Sequence, residues 1–67
     1  MIHTMKSAEI IRRLRSGGWT LHHVKGSHYQ FKYPEKKGKI TVPHPKRDIP
    51  AGTLRSIFRQ AGWPWVA

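Results

Sequence analysis

The chain contains no cysteine, so it can build neither a disulfide framework nor a thiolate zinc site. That absence suits a reducing compartment, and the expected location is the cytoplasm. Carboxylates are nearly as scarce: Glu9, Glu35 and Asp48 stand against 13 Lys and Arg. With five histidines but three carboxylates, and no histidine pair at helical spacing, neither a metal nor another cofactor is expected. No apolar run approaches the length of a membrane span, and the first residues lack the apolar core of a signal peptide. A phosphate-cradling glycine loop and a serine-triad pattern are missing as well.

What is present is positive charge in a small frame. The 67 residues carry a formal net charge of +10 and a pI near 11.1. Residues 1–67 read as one domain, and a chain of this size buries only about 60% of its unfolded surface. The working surface should therefore be a face rather than a deep cavity. Charge this lopsided opposes compaction by self-repulsion and makes most sense beside a polyanion. Phosphate backbones are the expected partner, because neutralising them releases condensed counterions.

The element order can be read from periodicity and punctuation. Ser7 can cap a first helix, Glu9 suits its positive end, and Ile10, Ile11 and Leu14 make its apolar stripe before Gly17-Gly18 stop it. Strands are expected over 19–24, 27–33 and 39–42, with Pro34 to Gly38 turning between the last two. Pro43, Pro45 and Pro50 punctuate a loop. A second helix follows over 53–61, with Leu54, Ile57, Phe58 and Ala61 on one stripe and Gly62 as its stop. The fold class is α+β: helix, three-stranded antiparallel meander, helix, with both helices on one sheet face.

Side-chain parity argues for the register of the first hairpin. A two-residue turn at Lys25-Gly26 would set Leu21 against Gln30 and mix the faces. A three-residue loop, Lys25-Gly26-Ser27, aligns Leu21 with Phe31 and Trp19 with Tyr33, and Gly26 supplies its positive φ. On that register the helices cover an aromatic face joined by Ile40 and Val42. The open face then carries Thr20, His22, His28, Gln30, Lys32 and Thr41, with His23 near the core edge.

His28 is the leading candidate for chemistry. Histidine titrates near neutral pH, so it can take the proton of a ribose 2′-hydroxyl or return one to a leaving oxygen. Lys25, Lys32 and Lys46 could stabilise charge at phosphorus. The residues alone leave open whether His28 does chemistry or only contacts a phosphate or base, and composition favours the plain contact. His22, its expected cross-strand or diagonal neighbour, is a candidate assistant, although an ordinary strand histidine is the stronger reading. His44, between two prolines, could contact RNA or simply stiffen the loop. The start of the second helix, with Lys46, Arg47 and Arg55 nearby, reads as an anion site.

A set of motifs then points further. The run Met5 to Glu9, Gly18-Trp19, Lys25-Gly26-Ser27-His28 with Phe31, Ile40 to Pro45, Gly52 to Ile57 and Gln60-Ala61-Gly62 resembles the HicA toxins of HicBA type II toxin–antitoxin systems. The likeness covers roughly residues 5 to 62. It implies a double-stranded-RNA-binding-domain-like fold and metal-independent cleavage of messenger RNA, which inhibits translation. By position it assigns the catalytic role to His28, and it implies a HicB-like antitoxin covering the active face. Lys25, Ser27, Gln30, Lys32, His44, Lys46, Arg47 and Arg55 remain the expected RNA contacts. The likeness lends no support to His22 as an assistant. A non-catalytic RNA-binding module of the same fold is the alternative. Met1 to Thr4 read as an extension, with Met5 a candidate start, and the aromatic tail 63–67 is expected to pack on a helix or meet the antitoxin.

Overall fold

Hydrophobic spacing fixes where each element faces. The computed structural model describes residues 5–65, so the expectations for residues 1–4 and for the last two residues of the tail lie outside it. The order is α1 (Ser7–Ser16), β1 (Thr20–Lys25), β2 (His28–Lys32), β3 (Ile40–Pro43) and α2 (Ala51–Ala61). The strands form one antiparallel sheet in the order β1-β2-β3. This is the α+β helix-strand-strand-strand-helix arrangement expected from the sequence. No helix among the described residues is long and apolar enough to cross a membrane.

Both helices bury the stripes their spacing dictates. Ile10 and Leu14 of α1 join Leu54, Ile57, Phe58 and Ala61 of α2 over Phe31, Ile40 and Val42 of the sheet. Ile49, in the proline-punctuated loop, is fully buried too, and its N–H donates to the Met5 carbonyl at 3.0 Å. The sequence gives no periodic signal there, so this core residue escaped it. α2 begins at Ala51 rather than at residue 53, directly behind Pro50, whose ring presets an entry into a helix. At the far end of α1, Gly18 takes φ +96°, and a Cβ there would stand 2.8 Å from Tyr33. The Tyr33 ring lies 5.4 Å from that of Trp19, as the expected alignment of those two residues requires.

The hairpin register corrects the sequence reading. Leu21 does face Phe31, but the turn is Gly26-Ser27, not a three-residue loop, because Lys25 pairs with His28 and Val24 with Tyr29. Gly26 has φ +58° while Ser27 does not lie at positive φ, the sign pattern of a type II′ turn. An even turn should shift Leu21 out of line with Phe31. A β-bulge between Leu21 and His23 absorbs the odd residue and restores the alignment. The expected faces change accordingly: His23 stands opposite Gln30, and Val24 opposite Tyr29.

Coverage of the sheet is uneven. The helices pack on β3, and every residue of β1 is exposed, so the expectation of a fully covered apolar face fails at that edge. Leu21 and Val24 remain 40% and 43% accessible. The tail fills the other flank, where Trp63 and Trp65 each meet Phe58 edge-on at 5.2 Å. Arg13 reaches 4.2 Å from the Trp63 ring, a cation–π contact that also covers the helix pair. Packing on a helix thus holds for both tryptophans.

Energetic consequences should follow burial rather than residue type. Phe31→Ala should cost about 3–5 kcal/mol, while Leu21→Ala should cost under about 1 kcal/mol, read from urea unfolding midpoints. Gly18→Ala should also destabilise, by more than about 1 kcal/mol, since it adds a Cβ against Tyr33 at positive φ.

Candidate nucleic-acid interface

Strand alternation on β2 splits its side chains between core and solvent. Tyr29 and Phe31 pair with Val42 and Ile40 on the helix side, whereas His28, Gln30 and Lys32 belong to the opposite face. His28 opens the strand, is exposed, and has Lys25 directly across on β1 and Pro43 across on β3. Lys25, Gly26, Ser27, His28 and Gln30 together line a shallow depression of about 450 Å³. A surface dish with a lysine, an imidazole, a hydroxyl and an amide can accept a phosphate and its sugar without enclosing them.

The two-residue turn changes which histidine belongs beside His28. His23, two residues from Lys25 on the same face, is diagonal to His28 across the strand pair. His22 is the residue that the bulge leaves without a ladder partner. The sequence-derived choice of His22 followed from a turn one residue too long. Lys32 lies further along the same face, opposite Thr20, whose hydroxyl donates to the Lys32 carbonyl at 3.4 Å.

Another group of the expected contacts gathers elsewhere. Lys46 and Arg47 line a second depression of about 320 Å³ together with Lys6, Ala8 and His44. It opens beside the start of α1, whereas the expectation set these cations at the start of α2. Arg55, on α2, stacks its guanidinium over Trp65 at 5.3 Å. The expected RNA contacts therefore divide into a sheet-face group, a group beside α1, and Arg55 on the helical flank.

His44 turns to the helix side. Its Nδ1 lies 2.6 Å from the Ser7 hydroxyl, and its ring meets Tyr29 edge-on at 4.8 Å. Ser7 does not cap α1 as expected; the residue at the cap position is Lys6, which makes no side-chain cap bond. Instead the Ser7 hydroxyl, 1% accessible, accepts the Lys46 N–H at 2.8 Å. The main-chain N–H of Ser7 donates to the Lys46 carbonyl at 2.9 Å. A buried hydroxyl hydrogen needs an acceptor, and His44 Nδ1 is the one within reach, which assigns the ring proton to Nε2. Reading the serine as a helix cap concealed this long-range role, since a single sequence holds no sign of the partner.

Among the described residues, no group of three His, Cys, Asp or Glu side chains converges as a metal site would require. A family model described as the HicA toxin of bacterial toxin-antitoxin matches residues 7–63. No curated protein matches the chain.

Exposure and bonding should separate the two histidines in stability measurements. His28→Ala should leave the unfolding free energy within about 0.5 kcal/mol, as for an exposed side chain. His44→Ala should cost about 1–3 kcal/mol, because it strands the buried Ser7 hydroxyl. Equal losses in a denaturant titration would refute the assignment.

Proposed function

The chain belongs to the HicA toxin family of bacterial toxin–antitoxin systems, and from that premise we propose that it is an endoribonuclease that cuts messenger RNA and thereby inhibits translation. The observation that carries the reading is the exposed imidazole of His28 in the Lys25–Gln30 depression, on the open sheet face of a strongly basic chain. RNA lies across this face with its phosphates against Lys25 and Lys32. Ser27 and Gln30 contact the sugar and base, while Lys46 and Arg47 hold phosphates beyond the cut.

The step is internal transesterification. His28 takes the 2′-hydroxyl proton as the oxygen attacks the adjacent phosphorus, and Lys25 and Lys32 stabilise the charge that builds on the phosphoryl oxygens. The bond to the 5′-oxygen then breaks, leaving a 2′,3′-cyclic phosphate, and the departing oxygen is protonated. His23, diagonal to His28, has the register for that second role. These steps use no metal ion, and the neutralising partner is a HicB-like antitoxin that covers the same face in the cytoplasm.

Purified protein should cut RNA in the presence of a chelator. His28→Ala should lower the rate by about 10²- to 10⁴-fold, the usual worth of a general base, while RNA affinity stays near that of wild type. Cutting by the variant at the wild-type rate would remove His28 from its role. A wild type that binds RNA without ever cutting it would make the protein a non-catalytic RNA-binding module. In binding titrations, Lys25→Ala and Lys32→Ala should each reduce the salt slope of affinity by about one.

A further inference from the structure

His44 has two attachments that bracket His28 along the chain. Its main-chain N–H donates to the carbonyl of Ser27, the residue before His28, at 2.8 Å. Its ring makes a T-shaped contact with the ring of Tyr29, the residue after His28, at 4.8 Å between centroids. His28 itself is paired with Pro43, the neighbour of His44. The turn and the first residues of β2 are thus gripped from one point on the neighbouring segment.

That point is anchored in turn. The Ser7 hydroxyl holds Nδ1 of His44, and Ser7 and Lys46 exchange reciprocal bonds that seat the loop on the start of α1. Ser7 is 1% accessible, so the Ser7 end of the anchor is shielded from water. A ring fixed on one side by a hydroxyl and on another by an aromatic ring has little rotational freedom. The Nδ1 atom of that ring is then committed to Ser7.

We propose that His44 is a positioning residue, which transmits the Ser7 anchor to the Gly26-Ser27 turn and so sets the direction of the His28 ring. This rests on the reading of His28 as the base. A base must meet its proton within hydrogen-bond reach, and misplacement by about 1 Å can cost a hundredfold in rate. His44 acts through that geometry and not by touching RNA.

Three variants test it: Ser7→Ala, His44→Phe and His44→Asn. The measurements are kcat on RNA, affinity for a 2′-O-methyl RNA that cannot be cut, and the ring resonances of His28. Ser7→Ala and His44→Phe should lower kcat by about 10- to 100-fold with affinity held within about twofold, and should move the His28 resonances. His44→Asn, whose side-chain oxygen can accept the Ser7 hydrogen, should recover most of the rate. A drop explained wholly by weaker RNA binding would overturn the proposal by making His44 a direct contact. Unmoved His28 resonances in Ser7→Ala and His44→Phe would overturn it too. Should His44→Phe fail to fold, the comparison of Ser7→Ala with His44→Asn decides. If the wild type cuts no RNA, the nuclease reading falls, and the His28 resonances alone judge the positioning claim.

Discussion

Period-two alternation on the central strand is the constraint on which the rest depends. β2 is paired on both sides, so neither of its faces can be adjusted without breaking two ladders. Phe31 is driven inward by the largest apolar burial on the strand, and with it Tyr29. His28, Gln30 and Lys32 are then committed to the other side whatever their own preferences. The polar face is a by-product of core packing, and its register is set by the core.

Seen this way, the bulge in β1 is the device that lets two local demands coexist. The Gly26-Ser27 turn wants an even loop, while Leu21 opposite Phe31 and Trp19 beside Tyr33 want an odd count. One unpaired residue reconciles them. The even turn itself carries His23 rather than His22 to the side of His28. Functional composition on this sheet is therefore set by the length of the turn as much as by residue choice.

Most of the fold was legible because it is written in short-range spacing. The stripes Ile10/Leu14 and Leu54/Ile57/Phe58/Ala61, the inward Ile40 and Val42, and the helix stop at Gly62 all follow from periodicity and local punctuation. Fold class, element order and family followed from these and from the motifs. What stayed hidden depends on partners distant in sequence. Ser7 has the chemistry of a cap and is recruited by His44, 37 residues away. Ile49 has no periodic neighbours to mark it as core. The depression around His28 could be anticipated because its members lie within six residues of one another, whereas the cluster beside α1 joins residues 6–8 to residues 44–47.

Among the described residues the outer edge of β1 is unpaired, and this has a consequence for how such a molecule survives at high concentration. An unpaired strand edge invites a neighbouring molecule to extend the sheet, and Leu21 and Val24 would reward that contact. The irregularity at His22 spoils the regular ladder an incoming strand would need, and Lys25 sets charge at the end of the row. Like-charged copies at +10 repel one another before they reach that distance. The kink that keeps Leu21 opposite Phe31 thus doubles as a guard against polymerisation.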